Sequence, residues 1–520
     1  MKQYLMAIDA GTGSVRAVIF DTEGRQLAVA QREWEHVQDA RYPGSMGFDW
    51  QHNWTLAKVC IQEAVKTAGI AAEQIAAIST TSMREGIVLY DGQGKEIWAC
   101  ANVDARSDEE VAQLIQQDPA FEKTVYARSG QTYALGALPR LLWVKNKEPE
   151  IYAQTRHMSM LNDWLIYKLC GKITAEPSNA CTSGIYDLQR RDWDASLARQ
   201  LGLKDDIFPP TYECGREVAH VSEEAARDCG LSVNTLLVAG GGDAQLGCIG
   251  VGVVGDRQAA VFGGSFWQYE LNTKRCAVDK DCKLRVNCHA VEDMWQYEAI
   301  AFMPGLAMRW YRDSFCSEEK TKAKELGVSA YALLNREAEK IPAGCYGMMC
   351  SFSDVMNYIS WRHAAPSFLN FAFDAEKFNK YTFYRAIMEN AALVTRGHLD
   401  LVEKSTGIRP QSIVFAGGAS QSDLWCQILA DTLNIPVQVP CVKEATALGA
   451  AILAGYGAGL YPNLEEAVAR IAKVEKEYWP DAVNAAAYEE LYHRWRKVYE
   501  KQLELADQKL TNHMWAAPGI

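Results

Sequence analysis

Two short stretches, read together, limit what this chain can fold into. Residues 5–21 run apolar, stop at Asp9, turn through Ala10-Gly11-Thr12-Gly13-Ser14 and become apolar again. About 250 residues later, Ala259-Ala260-Val261-Phe262 leads through Gly263-Gly264-Ser265 into Phe266-Trp267-Gln268-Tyr269, repeating strand, small-residue turn and returning strand. Either stretch alone predicts no more than a β-hairpin. A design that opens both halves predicts two similar domains, 1–250 and 251–520, with their turns facing one another. Short side chains at both turns let backbone N–H groups approach a bulky ligand.

The rest of the chain alternates strand-like and helix-like segments, which indicates α/β architecture. A chain of 520 residues exceeds one ordinary core, in keeping with more than one domain. Residues 75–79 read as a buried strand ending at Ser82-Met83-Arg84-Glu85-Gly86, and 87–101 as a hairpin followed by helical sequence to about residue 169. Residues 236–242 close on three glycines and deliver Asp243. Gly250-Val251-Gly252-Val253-Val254-Gly255 spells G-x-G-x-x-G, but a strand follows it instead of preceding it, which excludes a dinucleotide fingerprint. Its glycines, with Gly247, read as a flexible crossing between domains. Residues 412–416 run into Gly417-Gly418 ahead of a helix over 423–433, a geometry that favours a planar or anionic ligand. A last strand at 437–439 leads into an alanine-rich helix, and the tail after Tyr488 reads as a charged, solvated outer helix.

Charge and cysteine usage exclude several classes. A formal net charge of −12 with no basic block argues against nucleic acid or an anionic membrane as a partner. No apolar run nears the roughly 20 residues that span a bilayer and no signal pattern opens the chain, so a cytoplasmic location is expected. The 15 cysteines include no C-x-x-C pair, and the even spacing of Cys276, Cys282 and Cys288 is not that of metal ligands, so reduced thiols are expected.

If both turns and Gly417 converge on one cleft, a nucleoside triphosphate is the ligand that uses all three. Asp9 beside the first turn would then hold Mg²⁺ through water, and Asp243 would take a proton from a hydroxyl attacking the γ-phosphorus. Each has a plainer reading: Asp9 would cap its own turn and Asp243 the helix after it. A cap needs no triple glycine before it, which favours chemistry at Asp243. Arg84-Glu85 at a strand end suits vicinal hydroxyls or a carbonyl, the plainer reading being a surface ion pair; Asp104 and Arg106 fit the same idea. P-loop, protein-kinase and G-x-S-x-G signatures are missing.

Taken in order, Asp9-Ala10-Gly11-Thr12-Gly13-Ser14, Met83-Arg84-Glu85, Gly241-Gly242-Asp243, Phe415-Ala416-Gly417-Gly418 and Glu444-Ala445-Thr446-Ala447-Leu448-Gly449-Ala450 resemble the FGGY carbohydrate kinases over nearly the whole chain. The resemblance implies two actin-like, ribonuclease-H-like domains with ATP and substrate in the cleft between them. It implies Asp243 as base, and Arg84, Glu85, Asp104 and Gln245 on the substrate. Gly11, Thr12, Gly13, Ser14, Gly263, Gly264 and Ser265 would hold phosphates, Gly417, Gly418 and Ser422 would face adenosine, and Asp9 with Asp243 would hold Mg²⁺. Phrases such as SMREGIVLY, WACANVDAR, PSNA, GGGDAQLGC, FGGSFWQ, HAAPSF and the ending WAAPGI resemble one branch, which phosphorylates a linear five-carbon hydroxy-ketone in quorum sensing. The alternatives are a pentulose kinase of the xylulokinase or ribulokinase type and, from another class, a non-enzymatic actin-like ATPase. Some relatives associate with the phosphocarrier protein of the sugar phosphotransferase system, which makes it an expected partner. One departure is Gly264, where most members carry Thr, so the γ-phosphate is expected to lean more on amides.

Overall fold

Strand β1 (Tyr4–Ala10) is apolar on both faces, so it belongs at the centre of a sheet covered on both sides. Met6, Ile8 and Ala10 enter one core with Ile61 and Ala64 of helix α1 (Trp50–Ala68), while Leu5 and Ala7 enter another on the opposite face. With β2 (Ser14–Asp21), β3 (Gln26–Glu33), β4 (Ile75–Ser82), β5 (Glu217–His220) and β6 (Leu236–Gly242) it forms a six-stranded sheet ordered β5-β6-β4-β1-β2-β3. β1, β4 and β6 run parallel and β2 runs antiparallel between β1 and β3, so Ala10, Ser82 and Gly242 end at one edge.

The computed structural model describes residues 3–355, 358, 362–442, 444–515 and 517; Lys443 and most of the WAAPGI ending lie outside these. A seven-stranded sheet holds β7 (Ala259–Gly263), β8 (Trp267–Thr273), β9 (Arg285–Cys288), β10 (Trp295–Ala301), β11 (Ile413–Ala416), β12 (Val437–Pro440) and β13 (Val474–Tyr478), ordered β9-β10-β8-β7-β11-β12-β13. Its run β10-β8-β7-β11-β12 repeats β3-β2-β1-β4-β6 of the first sheet in order and direction. The duplicated hairpins are therefore the opening strands of two ribonuclease-H-like halves.

Two helices join the halves. α2 (Asp243–Gly250) follows β6, and the alanine-rich α3 (Ala445–Gly457) follows β12. α3 lays Ala447, Ala450 and Ala451 on the first sheet beside Leu5, Ala7 and Val18, which explains a helix apolar all round. Cys248 of α2 packs on Ala260 and Ala416 of the second sheet. The helices cross backbone to backbone: a Cβ on Gly449 would overlap the Leu246 carbonyl, and one on Gly250 the Ala445 carbonyl. Gly247 likewise packs against Phe262. Gly247 and Gly250, two of the glycines expected in a flexible crossing, lie within α2 and serve close approach.

Three further elements differ from expectation. His157–Met160 forms a strand on Ile87–Tyr90 inside the stretch that reads as helical. β13 adds an edge strand beyond 437–439. The last long helix, α4 (Ala482–Asp507), buries Tyr488, Leu491, Tyr492, Trp495 and Tyr499, an aromatic stripe at helical spacing, and so packs into the second core instead of lying outside it. Among the described residues no helix is long and apolar enough to cross a membrane.

Candidate active site

The first turn is held from beneath. The Trp34 indole N–H donates to the Gly11 and Thr12 carbonyls, both at 3.1 Å, and the Trp34 amide to Gly13 at 3.1 Å. Thr12 also meets Asn102 at 3.1 Å, and Ser14 accepts from Gln31 at 3.2 Å. Neither Gly11 nor Gly13 has a positive φ, and a Cβ on Gly13 would meet nothing within 4 Å. The fold itself therefore does not require glycine at Gly13. What the missing side chain leaves is open space above exposed backbone, as a ligand needs.

The second turn is built with other glycines. Gly264 donates to the Phe266 carbonyl at 2.9 Å. Gly417, in the left-handed region at φ 94°, lies so near that a Cβ on it would fall 2.7 Å from the Gly263 carbonyl. Gly305, near the start of the helix Pro304–Phe315, abuts the Gly264 carbonyl, and no sequence motif marks it. Gly418 opens a single 3₁₀ turn with free space above it. Ser422 does something plainer: its hydroxyl caps the helix Asp423–Leu433 by accepting from Trp425 N–H at 3.2 Å.

Contacts across the junction draw these parts together. Arg16, the cross-strand partner of Asp9, binds the Asp9 carboxylate at 2.7 Å and also grips Glu444 at the head of α3. Thr446 donates to the Asp243 carbonyl at 3.4 Å. Phe262, the residue before Gly263, touches Gly247 of α2. Asp9, Asp243 and the Gly263–Gly417 contact thus belong to one junction. A cavity of about 430 Å³ lined by Thr273, Arg275, Tyr297 and Lys404 lies at the other end of β8 and holds none of the candidate residues.

Asp243 opens α2, and its Oδ1 accepts from Ala244 N–H at 2.8 Å and pairs with Arg84 Nε at 3.3 Å. Ser178 of the PSNA stretch accepts from Gly242 N–H at 2.9 Å and fixes the backbone just before it. Although 46% of its side chain remains open, burial pushes the Asp243 carboxyl up to about 6. Arg84 opposes that shift, while Glu85 and Asp9 add to it. Asp9 spends Oδ2 on Arg16, leaving Oδ1 without a hydrogen bond among the described residues.

The expected substrate residues divide. Arg84 and Glu85 stand at the end of β4, with Glu85 at φ 64°, a strained conformation for a side chain of its size. The buried Arg140 stabilises it by donating to the carbonyls of Glu85, Asn102 (2.6 Å) and Asp104 (2.9 Å). Asp104 is buried and fully used, accepting from Met46 N–H at 2.6 Å and binding Arg106 at 2.7 Å. Gln245 is buried and donates to Gln296 at 2.9 Å. From β9 and β10 come two charges that sequence reasoning missed: Arg285 binds Glu85 at 2.6 Å, and Glu298 binds Arg84 at 2.5 Å.

Comparison with known proteins agrees with this architecture. Residues 4–250 match the N-terminal domain and residues 273–458 the C-terminal domain of the FGGY family of carbohydrate kinases. The chain is 49% identical over 518 residues to a protein named autoinducer-2 kinase from Salmonella typhimurium, covering 99% of this chain and 98% of that one. A protein of the same name from Escherichia coli K12 is 49% identical over 520 residues, covering 100% and 98%. In fold it is similar to xylulose kinase from Rhodospirillum rubrum (TM-score 0.83, 23% identity, 96% and 99% covered) and to Plasmodium falciparum glycerol kinase with ADP (TM-score 0.82, 19% identity, 96% and 98% covered). With both family domains matched in order on two like halves, the chain belongs to the FGGY family of carbohydrate kinases.

Proposed function

We propose that the chain transfers the γ-phosphoryl group of ATP to a hydroxyl of a linear five-carbon hydroxy-ketone, 4,5-dihydroxy-2,3-pentanedione, the autoinducer-2 precursor. That it is an ATP-dependent kinase follows from its family. The observation that carries the mechanism is Asp243, a half-open carboxylate beside Arg84 at the junction of both turns. The choice of acceptor is supported by 49% identity along the entire chain to proteins named for it.

In this reading residues 1–250 form the acceptor-binding domain with the base, and 251–520 the adenosine-binding domain. Amides of Gly11 to Ser14 and of Gly263 to Ser265 hold the phosphates, and Gly417-Gly418 forms the shelf for adenosine. Ser422 supports that shelf through its cap. Arg84 and Glu85 orient the acceptor together with Gln245, whose buried Oε1 has no hydrogen-bond partner among the described residues; Asp104, its carboxylate engaged by Arg106 and the Met46 amide, shapes the site from behind. Asp243 takes the hydroxyl proton as the new O–P bond forms and the bond to ADP breaks. The unbonded oxygens of Asp9 and Asp243 fit a hydrated Mg²⁺, which would neutralise phosphate charge. We place the reaction in the cytoplasm, where ATP is available. The comparisons give the phosphocarrier protein no support as a partner, and the reading does not need it.

Turnover with ATP on 4,5-dihydroxy-2,3-pentanedione, D-xylulose, D-ribulose and glycerol tests this. The pentanedione is expected to have the highest kcat/KM. A preference for xylulose or ribulose would make the chain a pentulose kinase, and acceptor-independent hydrolysis with filament formation would make it an actin-like ATPase.

Two predictions follow from geometry already described. The base acts deprotonated, so with its carboxyl raised to about 6, kcat/KM should fall about tenfold per pH unit below pH 6. The charged groups facing it are Arg84, Glu85 and Asp9, and a flat profile down to pH 4.5 would remove Asp243 from the role. Gly13→Ala should leave Tm unchanged, because the added methyl meets nothing within 4 Å, yet raise KM for ATP about tenfold by filling the cradle. A drop in Tm with unchanged KM would contradict this.

A further inference from the structure

One face of the second sheet is polar where a buried sheet face is normally apolar. Arg285 of β9, Glu298 of β10 and Glu270 of β8 stand side by side as cross-strand partners, and Asn287, Gln296 and Asn272 form the next row. All six are buried, and Glu298 is fully inaccessible. This face does not close on its own half alone. It meets Arg84 through Glu298 (2.5 Å), Glu85 through Arg285 (2.6 Å), Gln245 through Gln296 (2.9 Å) and Gln131 through Asn287 (3.0 Å). Burial first, and then the charge of the neighbouring Glu298, raises the Glu270 carboxyl well above its usual range.

Charges buried for good are costly, and removing one partner strands the other. A polar face between two halves suits a contact that is made and broken. Here the contact falls on the two side chains assigned to the acceptor. Glu298 also competes with Asp243 for Arg84 and has the shorter contact, 2.5 Å against 3.3 Å, so it fixes where the Arg84 guanidinium points.

We propose that Arg285 and Glu298 are positioning residues for phosphoryl transfer: supplied by the second half, they set Arg84 and Glu85 of the first in the orientation that meets the acceptor. The acceptor site is thus complete only with the halves together, and nucleotide binding on the second half is coupled to it through β8, β9 and β10. The inference rests on the reading that Arg84 and Glu85 hold the acceptor.

The test uses the full chain with Arg285→Met, Arg285→Lys and Glu298→Gln. Steady-state kinetics with ATP and 4,5-dihydroxy-2,3-pentanedione are combined with ATP affinity by calorimetry, Tm, and small-angle scattering without ligand. Arg285→Met and Glu298→Gln should each raise the acceptor KM and lower kcat by about tenfold or more while ATP affinity stays within about threefold. Arg285→Lys should recover part of the loss, a result that simple damage to the core does not produce. If Arg285→Met does not fold, the two variants of similar size carry the test. Acceptor KM and kcat within twofold of wild type in folded Arg285→Lys and Glu298→Gln would overturn the inference. If the wild type itself phosphorylates none of the acceptors, the substrate reading has failed separately. The inference is then judged by scattering, where the Glu298→Gln chain should be more expanded than wild type and an unchanged radius overturns it.

Discussion

Asp243→Asn lowers kcat by about 10²–10⁴-fold and leaves ATP affinity nearly unchanged. The amide keeps the shape of the carboxylate, and its Oδ1 still accepts from Ala244 N–H, so α2 begins as before. What it loses is the capacity to take the acceptor's proton. Arg84 loses only the weaker of its two partners, because Glu298 holds it more closely, so Arg84 and Glu85 keep their places. Nucleotide titration by calorimetry alongside single-turnover transfer separates the two effects. A variant that turns over within tenfold of wild type would leave the reaction without its base.

Gly449→Ala is expected to be among the most damaging single-atom changes outside the chemistry. Its Cβ would overlap the Leu246 carbonyl where α3 crosses α2, and that carbonyl belongs to the turn just after Asp243. Gly250→Ala imposes the same conflict on Ala445 from the other helix, so both variants push apart the same pair. Overpacking of this kind costs about 1–3 kcal/mol, and displacement of Asp243 by about 1 Å costs up to about 100-fold in rate. Both variants should lose Tm and turnover together, whereas Gly459→Ala, a surface glycine with open space around it, should lose little activity despite its left-handed φ of 69°. Wild-type Tm and turnover in Gly449→Ala would show that the helices have room to part, against the close crossing described here.

Much of this architecture was legible because strands announce themselves by period. The two hairpins were recognisable because apolar alternation and small-residue turns are local, and the strand over 413–416 with the helix over 423–433 was legible for the same reason. Misreadings came where one residue type has two physical uses. Gly250 reads as freedom in sequence and acts as close approach in space, and only Ala445, nearly 200 residues away, decides between them. α4 reads as a solvated helix because its charges outnumber its aromatics, although the aromatics fall on one stripe. The strand His157–Met160 carries no β-branched residue and is defined by its pairing with Ile87–Tyr90.

The site divides in the same way. Arg84, Glu85 and Asp243 are legible because each follows a strand that ends in small or polar residues, and Asp9 because it is the one charge in an otherwise apolar strand. Arg140, Arg285 and Glu298 are not, since an arginine inside a helix or a charge inside a strand gives no sign of what it faces. Trp34 had a faint signal, an aromatic at the end of β3 one hairpin away from the Gly13 turn. Asp104 reads in sequence as a substrate ligand; in the structure its carboxylate binds Arg106 and the Met46 amide, and its carbonyl accepts from Arg140.

The central claim is that two like halves bring both small-residue turns to one triphosphate, with Asp243 facing the phosphorus to be transferred. A crystal structure of the chain with a non-hydrolysable ATP analogue tests this most directly. The account predicts phosphate oxygens within hydrogen-bond distance of amides in both the Gly11–Ser14 and the Gly263–Ser265 turns, adenine on Gly417-Gly418, and the γ-phosphorus on the Asp243 side. Nucleotide bound at one turn alone, with Asp243 remote from the terminal phosphate, would contradict it.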